Sequence, residues 1–545
     1  MEAIKDSLKK QFAGWLNDHD LQENILQFDT PRQKEHGDLT TNVALRCAKK
    51  FGQPARAVAQ MMVTEIAWDP TLIKSVDIAG PGFINFFIQQ SVTQLGLQTI
   101  LTEKSDFGKN DTGNNKKVLV EFVSANPTGP LTIGHGRQAV LGDTIARLFE
   151  WQGYTVEREY YFNNAGRQMR ILGESVQLRA RQQLGENIEF PETHYQGEYI
   201  RDIARLALAE LSEYAITEKS TPAFKDIAER EIFKDIQTTL KKLGIDFQRY
   251  FNEKSLYDDG KIEEVLSQLS AKGLIYQKED ATWFKMTELG FEQDKVLVKN
   301  TGEPTYRLPD MAYHQDKFRR GYDVIVDLFG ADHIATYPDV VAAMEVLGWN
   351  KEQIKVLIHQ FVTLYEGQEI VKMSTRKANF VTLDELIDKV GTDATRFFFL
   401  MRHMNSHLNF DIQIAQKQSD ENPVFYCQYA HARICSIFRT AADQGVKMGS
   451  EADPGLLTTT PELELIKHLL AFPKTVEGAL GSYEPHRITS YLTETATRFH
   501  RFYQECRVIT EDADLTQARM HLLKACQIVL QNGFAIIGVH APEKM

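Results

Sequence analysis

Two short segments carry residue types suited to handling phosphate. Thr132-Ile133-Gly134-His135-Gly136-Arg137 follows the apolar run VLVEFV (Val118–Val123) and opens a stretch with helical spacing. A helix start offers unpaired N–H groups and the positive end of the helix dipole to anionic oxygens. Gly134 and Gly136 let backbone approach a ligand closely, and His135 can donate a hydrogen bond as charge builds on phosphate. Alone, these residues read equally well as a surface helix cap. The second segment is Lys372-Met373-Ser374-Thr375-Arg376-Lys377, with three cations and two hydroxyls. A loop of this kind can close on a departing pyrophosphate. Taken by itself, a solvated charge run is the better reading.

The surrounding elements are of a kind that positions such groups. VLVEFV, interrupted only by Glu121, reads as a buried parallel strand, and SANPTGP as a loop. Val140, Leu141, Ile145, Leu148 and Phe149 fall at helical spacing, and TVEREYYFN reads as the next strand. This strand–loop–helix–strand unit predicts an α/β fold whose catalytic domain is Rossmann-like and doubly wound. Residues 170–280 read as a charged helical insertion. Strand patterns return in DKVLVKN, YDVIVDLFGADH and KVLIHQFVTLY, and helical patterns run from Thr382 to the end. Before the catalytic unit lies an α+β unit in which Val76–Ile88 reads as strand, Gly-Pro-Gly turn and strand. The expected domains are 1–110, 115–385, a connecting helical segment 386–420, and an all-helical 421–545. Gly108–Lys117 serves as a polar linker, and a break falls near Ser419–Pro423.

The chain has 545 residues, enough for several cores, and is 43% hydrophobic with a net charge of −12. That charge argues against nonspecific coating of nucleic acid but leaves one local basic face open. The five cysteines form no CxxC pair, so no zinc site or disulfide framework is indicated. No run of apolar residues is long enough to span a membrane, and MEAIKDSLKKQF lacks a signal-peptide core. The expectation is a cytoplasmic protein.

Taken together, SANPTGPLTIGHGR resembles the HIGH signature of class I aminoacyl-tRNA synthetases, and VKMSTRKANF resembles their KMSKS loop, in the right order. HGDLTTNVAL (His36–Leu45), AGPGFINFFI (Ala79–Ile88), NPVFYCQYAHARICSIFR (Asn422–Arg439) and the closing GVHAPEKM (Gly538–Met545) are similar to segments of arginyl-tRNA synthetases. EYYFNNAGRQM, YQGEYI, TYRLPDMAYHQDK and FGADH add to that likeness, which runs from about residue 30 to the last. The resemblance implies ATP-dependent activation of L-arginine and its transfer to the 3′-terminal adenosine of tRNA(Arg). ATP arrives with Mg²⁺, no cofactor is tightly bound, and tRNA must be present for activation. The expected protein is a monomer without an editing domain. Its N-terminal domain touches the tRNA elbow, and its C-terminal helical domain binds the anticodon.

A planar, always charged guanidinium calls for carboxylate partners. The resemblance assigns arginine binding to Glu121, Ser124, Asn126, Tyr306, Asp310 and Asp332. ATP binding falls to Gly134, His135, Gly136, Asp332, His333, Lys372, Met373 and Ser374, and catalysis to His135, Thr132, Lys372, Arg376 and Lys377. RNA sites combine cations with aromatics that stack on bases. Tyr426, Gln428, Tyr429 and Arg433, with Arg498 and Arg501, are therefore the tRNA-binding candidates. Much of their spacing is helical, so packing accounts for part of it.

The chain departs from the family at the first tetrad position, Thr132 in place of His, and at Thr375 in place of the second KMSKS lysine. Either Arg376 or Lys377 can supply the missing cation. GADHIA replaces GADHHG, which affects only Ile334 and Ala335. Two rival readings remain at this point. A class I synthetase for another amino acid such as cysteine would need zinc-ligand cysteines around the catalytic core. A non-catalytic tRNA-binding protein with a decayed site would accommodate Thr132 and Thr375.

Overall fold

A computed structural model of the chain describes all residues except 1, 30, 32, 165, 212–219, 332, 333, 335, 336, 368 and 372–380. The N-terminal part comprises α1 (Glu2–Asp18), β1 (Leu39–Thr41), α2 (Val43–Phe51), α3 (Ala55–Glu65), β2 (Ile73–Ala79), β3 (Phe83–Ile88) and α4 (Gln90–Glu103). Its strands form an antiparallel sheet in the order β1-β3-β2. Ile84, Phe86 and Ile88, two apart along β3, are buried, as strand periodicity requires. Phe86 meets Phe12, Phe28 and Trp68 edge-on. Gly82 turns the β2–β3 hairpin at φ 137°, and a Cβ there would strike the Ala55 carbonyl carbon at 2.8 Å.

The middle part opens with β4 (Lys117–Glu121), α5 (Ile133–Trp151) and β5 (Thr155–Phe162). Three helices follow, α6 (Gly166–Gln183), α7 (Glu198–Glu210) and α8 (Thr221–Lys242). The chain then rejoins the sheet as β6 (Arg249–Asn252), so the stretch 170–280 is not one helical insertion. Four residues flanked by charges are too few for strand alternation to show, although Phe251 is buried. After α9 (Lys254–Asp258) and α10 (Lys261–Ala271) come β7 (Ile275–Lys278), β8 (Ala281–Phe284) and β9 (Lys295–Val298). These three form a separate antiparallel sheet. DKVLVKN is therefore a strand, but it lies outside the central sheet.

The central sheet is completed by α11 (Arg307–Arg319), β10 (Val324–Gly330), α12 (Tyr337–Val346) and β11 (Ile354–His359). Its five strands are all parallel, in the order β11-β10-β4-β5-β6. The chain winds outward from β4 through β5 and β6, then returns to the other side of β4 as β10. A crevice opens at such a switch point, beyond the carboxyl ends of the strands. Helix α5 lies directly on this sheet, and nearly all its residues are buried. Gly142 allows that approach, since a Cβ there would sit 2.2 Å from Phe122 Cγ.

Beyond β12 (Val362–Glu366), β13 (Glu369–Ile370), α13 (Leu383–Val390) and α14 (Thr392–Leu400) comes β14 (Leu408–Asp411), which pairs in parallel with β12. The stretch after Thr382 is thus not wholly helical. Leu408 and Phe410 are buried either side of exposed Asn409, a two-residue period too brief to stand out against its helical neighbours. After α15 (Ile412–Gln416), the C-terminal part is all helix: α16 (Pro423–Asp443), α17 (Thr460–Leu470), α18 (Phe472–Gly481), α19 (His486–Glu505) and α20 (Ala513–Ile537). Among the described helices only α20 is long and apolar enough to cross a membrane, and most of its surface is buried in the core. All five cysteines are buried.

Candidate active site

Glu121 ends β4, in register with Asp327 on β10 and Glu159 on β5. The chain then turns sharply. Val123 has φ 70° and Ser124 φ 42°, a left-handed geometry that is strained for a β-branched residue. The turn brings the Ser124 hydroxyl back onto its own strand end. It donates to Glu121 Oε1 at 2.9 Å and accepts the Tyr161 N–H at 3.1 Å.

The other Glu121 oxygen accepts a hydrogen bond from Lys317 Nζ at 2.5 Å, and the same ammonium lies 2.5 Å from Asp327 Oδ1. Lys317 and Asp327 are both fully buried. His314 spans the Asp310 carbonyl (2.8 Å) and Asp327 Oδ2 (2.9 Å). Asp310, His314 and Lys317 stand at i, i+4 and i+7 of α11, on one face. Burial raises the Glu121 carboxyl despite the Lys317 charge. Burial would raise Asp327 too, but Lys317 and His314 outweigh it and hold Asp327 well below the usual range. The same two acids hold Lys317 firmly protonated against burial.

Asp310 differs from these acids. Its side chain accepts no hydrogen bond among the described residues. Burial pushes its carboxyl up to about 7, with the charges of Glu121 and Glu253 adding to the effect and His314 opposing it. Glu253, just past β6, is also raised by burial, and accepts the Tyr161 hydroxyl at 2.8 Å. Glu121, Asp310 and Glu253 thus come from three elements to one end of the sheet, a place that favours a bound cation. Tyr306, at the start of α11, is 77% exposed, and Asn126 donates to Gln168 Oε1 at 2.7 Å.

The start of α5 follows β4 in the chain, after the loop that leaves Glu121. Thr132 is the N-cap, and a capping box joins it to His135. The Thr132 N–H donates to His135 Nδ1 at 3.2 Å, which leaves the proton of a neutral ring on Nε2. The two glycines differ in role. A Cβ on Gly134 would meet nothing nearer than Thr132 Oγ1 at 3.8 Å. On Gly136 it would strike Leu383 Cδ1 at 2.5 Å and Phe399 Cε2 at 3.0 Å, so that glycine serves packing against α13 and α14. Arg137 is buried and donates to the carbonyls of Gln360, His403 and Ser406.

Of the residues expected from the sequence, Glu121, Ser124 and Asp310 come together, and Thr132, Gly134 and His135 stand at the start of α5. Asp332, His333, Lys372, Met373, Ser374, Arg376 and Lys377 lie outside the described residues. Lys317, His314, Asp327, Tyr161 and Glu253 were not anticipated. The helical spacing of Asp310, His314 and Lys317, and the lone acid in VIVDLFG, were legible signals for four of the acid network's members. Nothing in the sequence marked Glu253.

In the C-terminal part, α16 and α19 share an aromatic face. Tyr426 and Tyr429 pack on His500 at 4.9 and 5.9 Å, and the Arg433 guanidinium lies 5.0 Å from the Tyr503 ring. Arg498 pairs with Glu494 and Glu464, and Arg501 with Glu505 and Glu464. Gln428 is buried, donating to Asp393 Oδ2 and the His540 carbonyl at 2.8 Å each.

Family models match three consecutive stretches of the chain. These are the arginyl tRNA synthetase N terminal domain over residues 1–88, the class I (R) tRNA synthetase catalytic domain over 96–408, and the DALR anticodon binding domain over 427–545. Arginine–tRNA ligase of Desulfotalea psychrophila is 49% identical over 520 residues, 95% of this chain and 94% of that protein. That of Chlorobaculum parvum is 46% identical over 552 residues, covering 99% and 98%. The fold is shared with the Thermus thermophilus arginyl-tRNA synthetase structure, with a TM-score of 0.77 and 21% identity over 99% of this chain and 100% of that one.

Proposed function

The chain belongs to the arginyl-tRNA synthetase family and is an arginine–tRNA ligase, and on that premise we propose how its residues divide the work. Asp310 takes the substrate guanidinium, with Glu253 beside it. Glu121, Ser124, Asn126, Tyr306 and Asp332 complete the arginine site. The observation that carries this reading is the convergence of Glu121, Asp310 and Glu253, in which the Asp310 carboxylate alone has no hydrogen-bond partner among the described residues.

ATP lies across the start of α5, with its phosphates toward Thr132, Gly134 and the Nε2–H of His135. Asp332, His333, Lys372, Met373 and Ser374 form the rest of its site, and Mg²⁺ enters with the nucleotide. An arginine carboxylate oxygen bonds to the α-phosphorus, the α–β bridging P–O bond breaks, and pyrophosphate leaves with arginyl-adenylate formed. Arg376 and Lys377 stabilise the leaving group. A ribose hydroxyl of the terminal adenosine then attacks the acyl carbon, and AMP departs as the ester forms. The protein works mainly by placing reactants and stabilising charge.

The aromatic and cationic face of α16 and α19 (Tyr426, Tyr429, Arg433, Arg498, Arg501) binds the anticodon of tRNA(Arg), with unpaired bases stacking on the tyrosines. Gln428, expected from the sequence to meet tRNA, is instead buried against Asp393 and the His540 carbonyl and is left out of that face. The enzyme acts as a monomer in the cytoplasm. Arginine-dependent ATP–pyrophosphate exchange in the presence of tRNA tests the whole assignment. Exchange with arginine but not with lysine or citrulline supports it, and no exchange with any amino acid refutes it.

A further inference from the structure

Arg396 is one of the largest fully buried side chains in the protein. It sits on α14 and joins three separate elements. Its Nε donates to the Ile537 carbonyl at 2.7 Å, one terminal nitrogen to the Leu243 carbonyl at 2.8 Å, and the other to Asp143 Oδ2 at 2.6 Å. Asp143 lies in α5, the helix that begins at Thr132 and His135. Ile537 ends α20, the last helix of the C-terminal part.

The end of α20 is built to receive this guanidinium. Gly538 takes a left-handed φ of 66°. Its N–H and that of Val539 return to the carbonyls of Ala535 and Phe534, the pattern that closes a helix with a left-handed residue. Arg147 of α5 donates to the Ala535 carbonyl at 3.2 Å, so two cations meet the negative end of the helix dipole. A Cβ on Gly538 would lie 2.5 Å from the Arg396 guanidinium carbon. Only glycine fits there.

The tail beyond Gly538 docks on the same helix. Asp393, one turn before Arg396, accepts the His540 N–H at 3.0 Å, and Gln428 holds the His540 carbonyl. His431 Nδ1 donates to the Pro542 carbonyl at 2.8 Å, and Arg439 to that of Glu543 at 3.1 Å. On its other side, α14 presents Phe399 to Gly136 in the first turn of α5. The helix therefore touches the tail at Asp393 and Arg396, and the start of α5 through Phe399.

We propose that Arg396 is a positioning residue for adenylate formation, tying the C-terminal tail to α5 so that the seat of the His135 turn depends on how the tail docks on α14. The inference rests on the reading above that this turn holds the ATP phosphates. A buried three-way joint between packed helices moves as a unit, and a shift near 1 Å at a reacting centre can cost about 10²-fold in rate.

The test uses the full chain with Arg396→Lys, Gly538→Ala and Asp393→Asn, beside His135→Ala. Lysine keeps the charge of Arg396 but cannot make the fork, alanine wedges the tail from the guanidinium, and Asp393→Asn weakens the seat that holds His540 and Gln428 without touching the guanidinium. The readouts are kcat of arginine-dependent exchange at saturating tRNA, the KM values for ATP and arginine, and the Kd for tRNA. The expected result is a fall in kcat of about tenfold or more in the three joint variants, with both KM values and the tRNA Kd within about twofold of wild type. Folded variants with unchanged kcat, beside an impaired His135→Ala, overturn the coupling and leave the phosphate reading standing. A loss that disappears at saturating tRNA overturns it as well, because the tail would then act only on RNA affinity. Unchanged kcat in His135→Ala overturns the phosphate reading and this inference with it. Should Arg396→Lys fail to fold, Gly538→Ala and Asp393→Asn decide the question.

Discussion

Glu121 and Asp327 are register partners on adjacent parallel strands, and a single ammonium, Lys317 Nζ, lies 2.5 Å from an oxygen of each. Their other oxygens are also engaged, Glu121 by Ser124 and Asp327 by His314. The buried charges of these two strands are thereby satisfied within the protein. The Asp310 carboxylate accepts no hydrogen bond among the described residues, and that asymmetry is what the proposed assignment of Asp310 to the substrate guanidinium rests on.

Asp310→Asn should raise the KM for arginine by about 10²-fold, because a charge-assisted fork becomes a neutral contact. The KM for ATP should change little. Steady-state kinetics with each substrate varied in turn measures both, and an unaltered arginine KM would sink the assignment.

The same carboxyl sets a pH dependence. Burial pushes the Asp310 carboxyl up to about 7, above its ordinary value of 3.8. Below that pH the free enzyme carries a protonated Asp310, so arginine must expel a proton to bind, and its KM should rise by up to about tenfold per unit as pH falls. Stability has the opposite sign. Between the unfolded and folded values the folded state binds more protons, so this group's contribution to stability falls as pH rises through that window and is lost above 7. On the proposed assignment, bound arginine supplies the missing countercharge. It should therefore raise the Tm more at pH 8 than at pH 6, which thermal unfolding with and without arginine would show.

Lys317→Met should be severely destabilising. It leaves Glu121 and Asp327 facing each other in the interior, and breaking a buried pair costs about 3–5 kcal/mol. Urea unfolding at pH 7 measures the loss. A variant as stable as wild type would mean that the two acids are far better solvated than their burial implies.

How much of this could be read from sequence depends on the kind of signal. The strand around Glu121 announced itself through an apolar run broken only by that acid, and the helix after Thr132 through its spacing. The acid pair was visible as the single charge in each of VLVEFV and VIVDLFG, but which strands were neighbours was not. That adjacency arises at the switch between β4 and β10, a long-range pairing that local periodicity does not encode. β6 and β14 were missed because four residues give too few alternations. The left-handed Val123 was illegible for a different reason. Nothing in its residue type favours that backbone, and the surrounding contacts of Glu121, Ser124 and Tyr161 impose it.

The last prediction concerns the start of α5. Thr132 replaces the family's first tetrad histidine, yet its backbone N–H donates to His135 Nδ1. That bond fixes the tautomer and places the ring proton on Nε2. The remaining histidine should then carry most of the transition-state stabilisation at this turn. Removing a donor that acts only as charge develops costs about 10²–10³ in rate. His135→Ala should lower kcat for exchange by about that factor, with small changes in either KM. Thr132→Ala should cost less. It removes a neutral hydroxyl that also lies 3.2 Å from His135 Nδ1 and one half of the capping box, worth about 1 kcal/mol of helix stability, but keeps the backbone N–H bond to that nitrogen. Thr132→Pro is the sharper variant, because it deletes that N–H and frees the ring to take either tautomer. If Thr132→Pro folds and retains wild-type kcat, the tautomer argument is wrong even should His135→Ala fail as expected. If both lose activity while Thr132→Ala keeps most of it, the backbone amide, and not the missing histidine, is what sustains catalysis at this site.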